Sequence, residues 1–370
     1  MTTCTQENPR YLTDQLITYI GNKRTLLPFI AKGLERARDR IGTEKISTFD
    51  VFSGSGIVSR FLKQYSSYLA SNDLEQYAQV INRCYLSNRD DRDETALAEV
   101  WKEITRKLET EELTGNLIAE LYAPKNDVEI QPGERVFYTG RNARYLDTAR
   151  SLITEIPEGL KPYLLAPLLS EASIHANTSG VFKGFYKNSN TGIGQFGGRK
   201  ENALTRICGD IILPYPVFSE FDCETEILTG DANAICDLVR EVDVAYLDPP
   251  YNQHPYGSNY FMLNLLAEYR KPESLSAISG IPSDWNRSAY NRKKDAALAL
   301  SDLANTIRAK FLIISFNSEG FISLDEMTAL LSPIGKTEIL ETKYNAFRGS
   351  RNLSGRGIHV KEYLYLVEKY

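Results

Sequence analysis

The same unit, strand then glycine or acid turn then helix, occurs near the beginning of this chain and again in its last third. Ile46-Ser-Thr-Phe-Asp-Val-Phe52 is rich in β-branched and aromatic residues and runs into Ser53-Gly-Ser-Gly56. Beyond it Val58, Phe61 and Leu62 recur at helical spacing. Residues 67–71 form a second short strand, leading through Asn72-Asp73 to a helix marked by Ala78, Ile81 and Tyr85. The pattern resumes with Glu226-Ile-Leu228 before Gly230-Asp231, then residues 242–247, 311–315 and 362–367. Parallel strands need long crossovers, and helical stretches between strands supply them. The expected fold is therefore α/β, a mostly parallel sheet with helices on both faces.

The middle of the chain breaks the alternation. Residues 95–121 are charged and helical, with a broken apolar stripe of Ala96, Val100, Ile104, Leu108 and Leu113. Residues 151–175 read as two further helices interrupted by prolines, and 177–200 as a loop with six glycines and four phenylalanines or tyrosines. This predicts an α/β domain over residues 10–85 and 222–370, interrupted by a mainly helical insert over 86–221.

Composition bounds the setting. At 370 residues the chain can form a large core, and no apolar run approaches the roughly 18 residues that span a bilayer. The first residues are polar, and the five cysteines are scattered with no Cys-x-x-Cys pair. Reduced thiols in the cytoplasm are expected, without a disulfide frame. With three well-separated histidines, no metal centre is expected. A net charge of −5 argues against nucleic acid as a partner, but the local distribution argues for it. Lys183, Lys187, Arg199, Lys200 and Arg206 stand against Glu201 alone; Lys343, Arg348, Arg351, Arg356 and Lys361 have no acid among them; Arg287, Arg292, Lys293 and Lys294 form a third cluster. Basic segments rich in Gly, Asn, Ser and aromatics suit phosphate contact, and solvated surface is the alternative.

Asp248-Pro249-Pro250-Tyr251 follows directly on Val244-Ala245-Tyr246-Leu247. An exocyclic amine on a base is a poor nucleophile because its lone pair is delocalised into the ring. A carboxylate and a proline carbonyl that accept its hydrogens localise that pair towards a methyl donor. Proline has no N–H to compete, and its fixed φ holds the carbonyl still. The tyrosine offers a face on which an extruded base can stack. A plain turn after a strand is the alternative for so short a string. The Phe52–Gly56 turn lacks the Gly-Lys-Ser/Thr ending of a phosphate loop. Asp73, 17 residues after Gly56, suits ribose hydroxyls or a helix cap; Asp231 suits an adenine amine or a cap. Tyr19-Ile-Gly-Asn-Lys23 reads as opening the first helix, with Lys23 meeting a carboxylate or solvent.

In this order the segments resemble the Dam-type, alpha-group DNA adenine-N6 methyltransferases. The match runs through Tyr19, Gly21 and Lys23, then Phe52, Gly54 and Gly56, then Asp73, Asp231 and Asp248–Tyr251. Asn177-Thr-Ser-Gly-Val-Phe182 and Gly194-Gln-Phe-Gly197 look like the family's recognition segment, with Gln195 where Asn is usual. The resemblance implies a Rossmann-like S-adenosylmethionine methyltransferase domain with a target-recognition insert. It implies methylation of adenine N6 in double-stranded DNA by base flipping, with catalytic Asp248, Pro249, Pro250 and Tyr251. The donor would be held by Tyr19, Gly21, Lys23, Phe52, Ser53, Gly54, Gly56, Asp73 and Asp231. DNA contacts would come from Lys183, Lys187, Arg199, Lys200, Arg348 and Arg351; Tyr344, Arg348 and Arg351 suit the flipped nucleotide or a solvated hairpin, and Phe316 suits the base pocket or, more readily, the core. A restriction–modification system, with a cognate endonuclease as partner, fits the same resemblance. Alternatives on the same fold are an RNA adenine, cytosine N4 or amide acceptor, or a DNA-binding module without turnover. Asp rather than Ser or Asn at position 248 favours adenine.

Overall fold

The computed structural model describes residues 6–198, 203–345 and 359–370. Among them lie seven strands: β1 Ile46–Asp50, β2 Ser66–Asp73, β3 Glu224–Thr229, β4 Val242–Leu247, β5 Ala309–Asn317, β6 Gly335–Asn345 and β7 His359–Lys369. They form one sheet in the order β3-β2-β1-β4-β5-β7-β6. The first five pair in parallel, and β7 runs antiparallel to both β5 and β6. Before residue 86 come helices α1 Pro9–Thr13, α2 Leu27–Ile41, α3 Ile57–Lys63 and α4 Gln76–Tyr85. Between residues 86 and 221 are α5 Glu94–Thr110, α6 Leu117–Tyr122, α7 Gly140–Glu155, α8 Lys161–Ile174 and α9 Leu204–Cys208. After them follow α10 Ala232–Ile235, α11 Tyr256–Asn259, α12 Phe261–Glu268, α13 Lys293–Thr306 and α14 Leu324–Leu331. No helix among the described residues is long and apolar enough to cross a membrane.

Side-chain alternation divides the strands between two cores. Val244, Tyr246, Ile313, Leu364 and Leu366 pack with α2 and α3 residues such as Ile30, Leu34 and Leu62. Ala245, Leu247, Leu312, Ile314 and Tyr365 pack on the other face against Leu300 and Leu303 of α13. Double-sided burial is why β4 and β5 read as continuous apolar runs. A third cluster joins the helices of residues 86–221 to the rest: Leu146, Leu164 and Leu169 share it with Tyr77 and Ile81 of α4 and with Phe261–Leu266 of α12.

Three local expectations change. Residues 19–23 form a turn ahead of α2 rather than opening a helix, because Gly21 takes φ +75°. That turn is tied down from α11 and its flank: the Ile20 N–H donates to Tyr260 Oη (2.7 Å), and Tyr256 Oη donates to the Ile20 carbonyl (3.0 Å). The helical stretch at 95–121 breaks between α5 and α6, where the buried Asp147 carboxylate accepts from the Asn116, Ile118 and Ala119 N–H groups. Strand β6 had no apolar signature to announce it. It is an edge strand paired with β7, and Arg36 and Arg40 of α2 meet its Glu338.

The order reverses at β1, which has β2 on one side and β4 on the other. Such a switch point opens a crevice at the carboxyl ends of the strands. Asp50, Asp73 and Leu247 close β1, β2 and β4, so the turns that follow them face one opening.

Candidate active site

That opening is a cleft lined by Tyr19, Phe52, Gly54, Asp73, Glu75 and Asp248, among others. Of the residues expected to hold a donor, Tyr19, Gly21, Lys23, Phe52, Ser53, Gly54, Asp73 and Asp231 line it. Gly56 faces away, and a Cβ there would meet Asn82 Oδ1 at 2.6 Å. Gly54 is required on two counts. Its φ is +52°, and a Cβ would come within 2.8 Å of the Tyr19 ring. Tyr19 is itself fixed by stacking on Tyr256 (5.0 Å) and Tyr260 (4.8 Å).

Asp73 is more than a helix cap. Its Oδ2 accepts from the Gly54 N–H (2.7 Å) and its Oδ1 from the Glu75 N–H (2.9 Å), so it clamps the glycine turn against the end of β2. Burial pushes its carboxyl up to about 6, opposed by those backbone hydrogen bonds. Glu75, two residues on, is buried in the same wall and accepts from Asn264 (2.5 Å) and Asn286 (3.0 Å). Burial, then the nearby Asp73 charge, push it up to about 7. Asp231 is exposed, caps α10 through the Asn233 N–H (3.0 Å), and still faces the cleft. A wall this acidic, with aromatic rings and the backbone of a glycine turn, fits a cationic, nucleoside-containing methyl donor.

Asp248 and Pro250 stand at the cleft's other end. Asp248, 17% exposed at its side chain, pairs with Lys23 at 3.1 Å, and Lys23 also meets Glu362 at 3.0 Å. Burial opposes the charge on Lys23, but Asp248 and Glu362 outweigh it and hold the ammonium well above lysine's ordinary range. For Asp248, burial pushes the carboxyl up to about 6; Lys23 pulls it down and Glu362 pushes it up. Pro249 is buried in the turn. Tyr251 stands beyond the cleft wall, its ring edge-on to Phe316 (5.8 Å, 67°) and 5.6 Å from Lys23 Nζ.

Lys183 and Lys187 are exposed on the 177–198 loop, Lys187 above the Phe185 ring. The loop hangs from fully buried Asn177. Its amide donates to the Val136 and Gln195 carbonyls (2.7 and 2.8 Å) and accepts from the Gly197 N–H (3.0 Å). Bonds from the Phe182 N–H to the Asn259 carbonyl and from Ser279 Oγ to the Lys183 carbonyl tie the loop to α11 and to the segment between α12 and α13. Arg199, Lys200, Arg348 and Arg351 lie outside the described residues.

The model of the D12 class N6 adenine-specific DNA methyltransferases matches residues 19–330. The chain belongs to that family. It is an adenine-specific DNA methyltransferase, with a methyl donor and DNA as its reactants. It is 27% identical to type II methyltransferase M.NlaIII of Neisseria lactamica over 95% of this chain and 99% of that one. It is 29% identical to M.CviAII of Paramecium bursaria Chlorella virus 1 over 95% and 98%. Against modification methylase StsI of Streptococcus sanguinis the identity is 27%, over 95% of this chain and 52% of the longer relative.

Residue reading missed Glu75, Asn286, Tyr290 and Glu362. The first is signalled by a second acid two positions after Asp73, and the last by an acid directly ahead of the apolar run Tyr363–Val367. Asn286 and Tyr290 reach the cleft from the segment between α12 and α13 and leave no local signature.

Proposed function

We propose that the enzyme transfers a methyl group from S-adenosylmethionine to N6 of an adenine flipped out of duplex DNA at a specific sequence. The observation that carries the reading is Asp248 just past the end of β4, partly buried and paired with Lys23 on the edge of an acidic, glycine-floored cleft. The donor would lie against Tyr19, Gly21, Phe52, Ser53 and Gly54, with Asp73 and Asp231 facing its polar groups; Gly56 shapes the same turn. When bound, it supplies an electrophilic methyl group on a sulfonium whose departure leaves a neutral thioether.

The residues of the chain do the rest by position and charge. Asp248 as carboxylate and the Pro249 carbonyl accept hydrogen bonds from the two N–H groups of the amine, concentrating its lone pair towards the methyl group; as the N–C bond forms and the C–S bond breaks, one of those protons leaves through Asp248 to solvent. Pro250 stiffens the turn that presents them. The Tyr251 ring offers a stacking face and Phe316 buttresses it, which offsets part of the unstacking cost of roughly a few kcal/mol. Residues 86–221 serve as the target-recognition insert of an α/β domain formed by 10–85 and 222–370. Lys183 and Lys187, with Arg199, Lys200, Arg348 and Arg351, supply phosphate contacts.

The names of the relatives support a further step, that the enzyme is the modification half of a restriction–modification system with a cognate endonuclease. A cytoplasmic location belongs to the same proposal; it rests on DNA as substrate and on free Cys84, Cys208, Cys223 and Cys236. The test is to express the enzyme and sequence the host DNA by a method that detects N6-methyladenine. The expected result is a single modified motif. Modification confined to cytosine or to RNA would overturn the reading.

A further inference from the structure

The Lys23 ammonium lies between two carboxylates, and the proposed chemistry uses only one of them. Glu362 is 2% exposed and Lys23 4%. Glu362 sits on β7 opposite Asn317 of β5 and begins the buried run Glu362–Val367 of that strand. Its Oε1 accepts from Lys23 Nζ (3.0 Å) and from Ser315 Oγ (3.0 Å). Nothing in the packing of β7 calls for an acid here. Removing two charges from water is costly, and an apolar group of similar volume is commonly as stable or more so.

The local charge supplies a reason. If Asp248 alone faced Lys23, the pair would be neutral, and the ammonium's field would oppose the pull of the carboxylate on the amine hydrogens. A second carboxylate on the far side of the ammonium restores a net negative charge to the group. It also draws Lys23 towards β7.

We infer that Glu362 is a positioning residue for methyl transfer: it anchors Lys23 from behind and keeps the Asp248 carboxylate available to the substrate amine. The inference rests on Asp248 being the group that accepts from that amine. The charged and titratable groups facing Asp248 are Lys23 ahead of α2, Glu362 on β7, Asp50 on β1, Tyr246 on β4 and Tyr256 on α11. Of the carboxylates among them, Glu362 is the one in direct contact with the lysine that touches Asp248.

Glu362→Gln keeps the shape and removes the charge. The expected result is a fall of about tenfold or more in kcat, with the KM for DNA and the Kd for S-adenosylmethionine within about twofold. The acid limb of kcat should also move to lower pH, because Asp248 ionises more easily without a negative neighbour. A role confined to folding would leave that limb in place, so an unmoved limb, or an unchanged kcat, overturns the inference. Adding Glu362→Gln to Lys23→Met should cost little beyond Lys23→Met alone, whereas additive losses would mean that Glu362 does not act through Lys23. Should the Gln variant fail to fold, Ser315→Ala loosens Glu362 without changing a charge. A loss of about threefold in kcat is then expected, and no loss overturns the inference. Asp248→Ala separates the two levels. An active Asp248→Ala enzyme removes the underlying reading, while an inactive one beside a wild-type Glu362→Gln removes only the role of Glu362.

Discussion

The cleft and the 177–198 loop solve different problems with different means. In the cleft, Asp73 is held by two backbone N–H groups, Glu75 by two asparagines and Asp248 by a buried lysine, and burial raises all three carboxyls. On the loop, Lys183 and Lys187 are exposed, and the backbone is held by the buried amide of Asn177 and by bonds to Asn259 and Ser279. Moving a methyl group between two fixed atoms needs dipoles and charges set in place beforehand, away from water. Attraction to a phosphate backbone acts through solvent over about a Debye length, so it tolerates mobile, exposed cations. Substitutions in the cleft should therefore change kcat or donor affinity with little dependence on salt. Those on the loop should change DNA affinity and its salt slope while leaving turnover at saturating DNA intact.

The comparison can be broken most forcefully at Asp248. Asp248→Ala is expected to lower kcat by about a hundredfold or more while DNA affinity by gel shift stays within about twofold. Turnover near wild type would remove the carboxylate from the chemistry. The wild-type enzyme should in turn lose kcat as pH falls through about 6, where Asp248 takes up a proton and stops accepting. A flat profile between pH 5 and 8 would contradict that assignment. Gly54→Ala forces a side chain into a left-handed turn and against Tyr19, so donor affinity measured by calorimetry should fall by about tenfold or more. Lys183→Glu with Lys187→Glu tests the other region. Weaker DNA binding and a salt slope reduced by about one per lost phosphate contact are expected at unchanged kcat, and an unchanged slope would move recognition elsewhere.

The smallest effect is expected beneath the cleft, at Asp50. Its Oδ2 accepts from Ser59, its Oδ1 has no hydrogen-bond partner among the described residues, and burial pushes the carboxyl up to about 7. Because this lies above the unfolded value near 4, the folded protein holds a proton that the unfolded chain has lost, and stability falls as pH rises from about 4 to about 7. Asp50→Asn removes the titration. Its melting temperature relative to wild type should rise by about 2 °C or more between pH 5 and pH 8, and a constant difference would rule out a buried charge.

How much of this was legible in the residues depends on how local the signal is. Residues 244–247 read as a buried strand because burial on both faces demands an unbroken apolar run, and β4 contains those residues. The Phe52–Gly56 turn was legible because a tight strand-to-helix turn restricts residue type. Lys23 showed no such constraint; solvent and a carboxylate were equally good readings until β7 brought Glu362 alongside it. Strand β6 was missed because an edge strand with one neighbour can be built from Lys, Thr and Glu. The break before α6 was missed because its cap, Asp147, comes from another helix.

The sequence by itself determined the α/β class, the order of the motifs, and that the acids at 73, 231 and 248 end or follow strands. Period, turn chemistry and chain direction are local properties, readable without knowing what lies across the sheet. Only the tertiary structure decided that those strand ends face one cleft, that Asp73 clamps Gly54, and that one lysine joins Asp248 to Glu362 across 114 residues of sequence. Each of those depends on strand order, which is set by which apolar faces bury one another. That choice is made by the whole core at once, and no single segment of the chain records it.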